Sequence, residues 1–237
     1  MAALYIVSTP IGNLEDISIR AIKTLLSADY IACEDTRRTG LLLQELQKRY
    51  PHFGSVKKEQ RLLRYDDRTE QNAAAEILEL LASGKSVALV SDAGTPLISD
   101  PGYILVREAR RQGIQVVSIP GASALLTALT SSGLPANTFT FVGYPPEKQG
   151  PRLKLFQSFA QVAKIFKQNR TYILYCAPHK LAVELSDLKT ALGDREIVVA
   201  RELTKVHEEI WQGAITQALK HFENPQGEFI LLLTITS

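Results

Sequence analysis

The sequence predicts a two-domain α/β protein, with a parallel-sheet domain over residues 1–134 and a mixed-sheet domain over residues 135–237. Three observations predict it. Short β-branched runs alternate with amphipathic stretches through the first half, at the pitch of parallel βαβ units. The turn-rich segment Ser131–Asn137 (Ser-Ser-Gly-Leu-Pro-Ala-Asn) breaks that rhythm and marks a domain junction. Two late strands lie only a few residues apart, which calls for antiparallel pairs inside a mixed sheet.

In the first half, Leu4–Ser8, Tyr30–Cys33, Leu62–Tyr65, Val87–Ser91 and Gln115–Ile119 read as buried strands. Between them Ile19, Ile22 and Leu26, then Ala73, Ile77, Leu80 and Leu81, recur at helical spacing. Gly84 and Gly113 each follow such a stretch, where a residue of positive φ often ends a helix. Past the junction, Thr138–Gly143 and Tyr172–Cys176 read as strands around a basic helix, Pro151–Lys167. A helix near His179–Leu192 follows, and then strands Glu196–Ala200, Glu208–Gln212 and Glu228–Ile235.

Composition bounds the class. With 237 residues and 45% hydrophobic content the chain can bury a real core, and 22% charged residues is ordinary. The start, Met1–Ser8, has no basic segment and too short an apolar run for a signal peptide, and no window reaches the ~18 apolar residues of a membrane span. A soluble, cytoplasmic protein is expected. Cys33 and Cys176 are far apart, so both are expected to be reduced.

The net charge of +2 says little, but its distribution says more. Lys148, Arg152, Lys154, Lys164, Lys167 and Arg170 lie in a stretch without a single acid, and Arg37–Arg68 holds nine cations against four acids. Such surfaces can track a phosphate backbone, or simply keep helix faces solvated.

Ligands of an open parallel sheet bind beyond the carboxyl ends of its strands, so the strand-end loops hold the chemistry. Thr9-Pro10-Ile11-Gly12-Asn13-Leu14 ends the first strand sharply, without a Rossmann or P-loop fingerprint. Ser91-Asp92-Ala93-Gly94-Thr95-Pro96, running on to Ser99-Asp100-Pro101-Gly102, is the densest cluster of turn residues; Asp92 there either meets a ligand or makes an Asx-turn. Pro120-Gly121-Ala122-Ser123 precedes a helix that Ser123 can cap or open to an anion. Glu34-Asp35-Thr36-Arg37-Arg38 places two acids and two cations at a helix start. Tyr175-Cys176-Ala177-Pro178-His179-Lys180 and Arg201–Glu209 add mixed ionisable groups after strands of the second half. No His, Cys or acid spacing suits a metal, and no serine sits in a nucleophile elbow, so metal hydrolysis and acyl transfer lack support.

In this order the segments resemble the tetrapyrrole methylase superfamily, and within it the 16S ribosomal RNA (cytidine-2′-O)-methyltransferase family. The matching blocks are Ser8–Leu14, Glu34–Arg37, Ser91–Gly102, Pro120–Ala124, Ala177–His179 and Ala200–Lys205, which span nearly the whole chain. The resemblance implies two α/β domains with S-adenosylmethionine in the cleft between them, a homodimer, and a cytidine ribose of small-subunit ribosomal RNA as target. It also implies that Pro10, Asp92, Gly94, Ser123, Ala124, Tyr175, Cys176 and Ala200 line the cofactor. Two positions depart from the family pattern: Cys176 stands where an acid is usual and Lys180 where an arginine is, and Lys lacks the bidentate fork of Arg. Many members also continue past the position of Ser237 with a small further segment.

A sulfonium methyl needs an in-line attacking oxygen rather than a covalent nucleophile, and a ribose hydroxyl needs help losing its proton. Asp35, Glu202 and Lys205 are the candidates for that help, against the plainer reading of each as part of an interdomain ion pair. Arg37, Arg38, Arg152, Lys154, His179, Lys180 and Arg201 are the RNA-facing candidates. Alternatives from the same fold are methylation of a tetrapyrrole or a protein side chain, or a module that binds S-adenosylmethionine or RNA without catalysis.

Overall fold

The computed structural model describes residues 3–236, so Met1 and Ser237, the outer ends of the two expected domains, lie outside the described residues. The chain divides into two compact units, Met1–Ser123 and Ala124–Ser237.

The first unit is a five-stranded sheet of β1 (Leu4–Val7), β2 (Tyr30–Cys33), β3 (Arg61–Arg64), β4 (Val87–Leu89) and β5 (Val116–Ile119), in the order β3-β2-β4-β1-β5. Every pairing is parallel. Strand residues alternate in direction, and both directions are buried. Val7, Ile31, Cys33, Ala88 and Val90 pack under α1 (Ile19–Ser27) and α2 (Thr36–Arg49), whereas Leu4, Ile6, Ala32, Val87 and Leu89 pack under α3 (Glu70–Ala82) and α4 (Tyr103–Arg111). A parallel sheet covered on both faces has strands that read as unbroken apolar runs, and the inner strands β1, β2 and β4 do. The helices have local causes: Ser18 accepts from Ala21 N to start α1, Asp35 accepts from Arg37 N and Arg38 N to start α2, and Gly84 and Gly113, with φ of 91° and 72°, follow α3 and α4.

Strand order fixes where a ligand can sit. The neighbours β1 and β4 send their chains in opposite directions, β1 through α1 towards β2 and β4 through α4 towards β5. The crevice outside their carboxyl ends is the topological switch point of this sheet.

The second unit starts with α5 (Ala124–Ser131), ahead of the turn-rich Ser131–Asn137 segment. Its strands are β6 (Phe139–Gly143), β7 (Arg170–Cys176), β8 (Glu196–Arg201), β9 (Glu209–Ala214) and β10 (Phe229–Ile235), in the order β6-β7-β10-β8-β9. Only β6 and β7 run parallel, so the sheet is mixed. One face carries α6 (Gln149–Phe166), α7 (Leu181–Leu192) and α8 (Ile215–His221), packed on Tyr172, Leu174, Val199, Leu231 and Leu233. Ile173, Val198, Ala200, Ile230 and Leu232 alternate with these and are buried too, and α5 packs against β10. Among the described residues no helix is long and apolar enough to cross a membrane.

Candidate functional site

Three strand-end loops of the first unit are tied to one another. Thr9 and Gly94 exchange backbone hydrogen bonds of 2.8 and 3.1 Å, joining the loop after β1 to the loop after β4 across the switch point. Thr9 Oγ1 also donates to Ser91 O at 3.2 Å, and the Ser8 and Thr95 hydroxyls meet at 2.9 Å. Thr95 Oγ1 donates in turn to Ala122 O at 3.0 Å, bringing in the loop after β5. The approach is close enough to require glycine: a Cβ on Gly121 would lie 2.9 Å from Ser8 Cβ, and Gly94 has φ of 84°.

The long loop after β4 is held under strain. Leu97 and Ser99 have φ of 73° and 65°, conformations that side chains disfavour and that persist only where the surroundings impose them. Part of that support is Glu70, whose Oε1 accepts from Gly102 N at 2.9 Å and from the Tyr65 hydroxyl at 3.0 Å. Burial, and then Glu70 beside it, push the Tyr65 hydroxyl up, so it remains a donor.

Acids gather at the same strand ends. Asp35 caps α2, and the amides of Arg37 and Arg38 hold its carboxyl below the usual range. Asp92 takes an ion pair from Arg38 at 3.1 Å. Glu34, adjacent to Asp35, is different. Its Oε1 is sealed from solvent without a hydrogen-bond partner, and burial reinforced by Asp100, Asp92, Asp67 and Asp66 pushes it up to about 7. Burial likewise raises Asp100 to about 6, although a hydrogen bond from Ser91 works against it. Sequence reasoning singled out Asp35 and Asp92 and missed Glu34 and Asp100. The available signal was that Glu34 directly follows the wholly buried end of β2.

In the second unit Tyr175 lies edge-on to Phe141 and Tyr144, at centroid distances of 4.9 and 5.6 Å. Cys176 is buried, and its thiol donates to Ala177 O at 3.4 Å. Burial, then the Glu184 carboxyl beside it, push that thiol up; burial also raises Glu184, whose Oε2 has no partner. A carboxyl from α7 thus lies beside the Cys176 thiol. His179 and Lys180 form a short turn, Pro178–Lys180, ahead of α7. Both cysteines have buried, free thiols.

Arg152 does not face solvent as expected. It is 2% exposed, donates from Nε and Nη2 to Asp187 Oδ2 at 2.8 and 2.6 Å, and from Nη1 to Pro146 O and Glu147 O. With its donors committed to Asp187 of α7 and to the loop before α6, this guanidinium has no fork left for a phosphate. Lys154, two residues on and so on another side of α6, is exposed.

Ala200 is buried in β8, and the loop after it is rigidly fastened. Glu202 and Thr204 have φ of 49° and 63°. Lys205 Nζ pairs with Glu202 Oε1 at 3.0 Å and with Glu228 Oε2 at 3.1 Å, and Glu202 Oε1 accepts from Glu228 N at 2.9 Å. Both ion pairs lie inside the second unit. Arg201 Nε donates to Gln226 O at 2.8 Å, and Nη1 reaches Glu209 at 3.6 Å.

Comparisons with known proteins are consistent along the chain. The family model described as Tetrapyrrole (Corrin/Porphyrin) Methylases matches residues 3–219. The chain is 48% identical to the Ribosomal RNA small subunit methyltransferase I of Synechocystis sp., over 98% of this chain and 79% of that protein. It is 44% identical to the Thermotoga maritima protein of the same name, over 99% of each. Among solved structures, a cobalt precorrin-4 methyltransferase superposes with a TM-score of 0.64 at 20% identity, covering 98% of this chain and 94% of that one. A putative diphthine synthase from Entamoeba histolytica gives 0.67 at 18%, covering 98% and 92%. At such identities these two superpositions speak for the fold alone.

Proposed function

Because the chain belongs to the tetrapyrrole (corrin/porphyrin) methylase family, we propose that it methylates small-subunit ribosomal RNA with S-adenosylmethionine, at the 2′-hydroxyl of a cytidine ribose. The observation that carries this reading is identity of 48% and 44%, over almost all of this chain, to proteins named for that RNA.

The strand-end loops fit the cofactor. A small-residue crevice at the switch point suits a nucleoside, and Asp92, Asp100 and Glu34 suit the charge of a sulfonium. Pro10, Asp92, Gly94 and Ser123 would hold it from the first unit; the resemblance assigns Ala124, Tyr175, Cys176 and Ala200 to the same ligand. With Cys176 and Ala200 buried, their share falls to backbone groups. The bound cofactor supplies an electrophilic methyl group.

What the chain must add is orientation and a place for the hydroxyl proton. Glu34 is the acid best matched to receive it at neutral pH: burial and the neighbouring acids bring its half-buried carboxyl up to about 7, and general-base help of this kind is worth about 10²–10⁴-fold. Asp35, occupied by two amides, positions Arg37 and Arg38 at the start of α2. Glu202 and Lys205 act by fixing the loop that presents Arg201. Arg37, Arg38, Lys154, Lys180 and Arg201 are the cations left for phosphate, with the His179 imidazole beside Lys180 as a further contact. The protein works in the cytoplasm as a homodimer, which sedimentation would test.

The decisive experiment transfers labelled methyl from S-adenosylmethionine to small ribosomal subunits, followed by nuclease digestion and nucleoside analysis. Label in 2′-O-methylcytidine is expected. Label elsewhere, or none on RNA, overturns the reading.

A further inference from the structure

The last turn of α6 leaves a patch that the site above does not use. Lys164, Ile165, Phe166 and Lys167 are consecutive and all exposed, and the two apolar members stand 73% and 65% open to solvent. The guanidinium of Arg170, the first residue of β7, lies 5.9 Å from the Phe166 ring centroid and is steadied by a 3.0 Å hydrogen bond to Thr140 Oγ1. Beside it Phe139 opens the edge strand β6 and is 40% exposed. The sequence holds no acid anywhere from Lys148 to Val183.

Ordinary helix physics explains part of this. Cations in a last turn complement the helix dipole, and Lys167 ends α6 in a left-handed conformation. Neither effect accounts for two large apolar side chains left in water between those cations. A second copy of this chain is a poor occupant, because a two-fold interface would set three cations against the same three. Nucleic acid fits both halves of the chemistry: phosphates meet Lys164, Lys167 and Arg170, and an unpaired base stacks on the Phe166 ring that Arg170 already flanks.

We propose that Lys164, Phe166, Lys167 and Arg170 form a second RNA contact, which grips a single-stranded or looped segment of the same substrate away from the methylated nucleotide. It rests on the function proposed above. The patch lies at the start of β7, and Tyr175 and Cys176 lie at its other end, about 20 Å away at ~3.3 Å per strand residue. The patch therefore acts on substrate capture and leaves the methyl-transfer step alone.

The test compares wild type with Lys164→Gln/Phe166→Ala/Lys167→Gln, all at exposed positions, and with Lys85→Gln/Lys220→Gln as a charge-matched control. Binding to small-subunit RNA is measured across salt, and methylation is measured by kcat and KM. The triple variant is expected to bind about tenfold more weakly, to lose about 0.7–0.9 of salt slope per phosphate contact removed, and to raise KM with kcat within twofold. The control and the S-adenosylmethionine affinity should not change. Wild-type affinity, slope and KM in the triple variant would overturn the proposal, as would a lower kcat at unchanged KM. Loss of binding to anionic vesicles with RNA binding intact would also overturn it. If wild type itself neither binds nor methylates the RNA, the function reading fails, and this proposal with it.

Discussion

Arg152 and Asp187 form an ion pair inside the second unit in which two guanidinium nitrogens share one carboxylate oxygen, with side chains 3% and 5% exposed. Gln149 holds the other Asp187 oxygen at 2.9 Å. Removing one partner strands a buried charge, which costs about 3–5 kcal/mol, whereas replacing both by apolar groups is often close to neutral. Asp187→Ala should lower stability by that amount, and Arg152→Met/Asp187→Leu should recover most of it. Urea unfolding of the single and double variants checks this; additive losses would show that the pair is not a unit.

Gly121→Ala should loosen the first unit's crevice. The new Cβ would meet Ser8 Cβ at 2.9 Å and separate loops that Thr95 and Thr9 tie together. Overpacking of this kind costs about 1–3 kcal/mol. Calorimetry should show S-adenosylmethionine affinity falling more than it does for Gly113→Ala, whose added Cβ meets nothing within 4 Å.

Glu34 sets a pH dependence. Burial raises it from 4.5 in the unfolded chain to about 7 in the fold, so between those values the folded state keeps a proton that the unfolded state releases. Stability from this group therefore falls as pH climbs from about 4.5 to 7 and is level above. Glu34→Gln should melt higher than wild type at pH 8 by a margin that shrinks towards pH 5. In single-turnover methylation the wild-type rate should rise with pH through about 7, and the variant's slower rate should not. A wild-type profile flat from pH 6 to 8 would remove Glu34 as base.

Lys205 and Gly227 support Glu202 in unequal ways. Lys205 is partly exposed, so Lys205→Ala should cost less than about 1 kcal/mol of stability while lowering methylation. Gly227 has φ of 94°, and a Cβ there would fall 2.5 Å from Glu202 Cγ, so Gly227→Ala should cost about 2 kcal/mol or more. Thermal melts alongside single-turnover rates separate the two effects; wild-type rates in both variants would release this loop from any part in the reaction.

Local pattern carried most of the elements. Apolar runs located the ten strands of the described residues to within a few residues, most plainly β1, β2 and β4, which are buried on both faces and leave unbroken apolar segments. Strand order was not legible: the insertion of β1 between β4 and β5 is a matter of long-range pairing. Adjacent acids were equally opaque, since Glu34 and Asp35 differ in burial rather than type. Arg152 was legible and overlooked. It shares a helix face with Phe156, Phe159 and Ala163, a spacing that outweighs the basic company it keeps in sequence.

The interleaved sheet also constrains how the chain is born. β1 leaves the ribosome well before both its neighbours, with Leu4 set against Val87 on one side and Val116 on the other. At about 5–20 residues per second the wait lasts seconds, during which an apolar strand is exposed with no mate. Such non-local closure is slow, so nascent chains truncated before Val116 should be sticky, protease-sensitive clients of chaperones, and full-length chains should not.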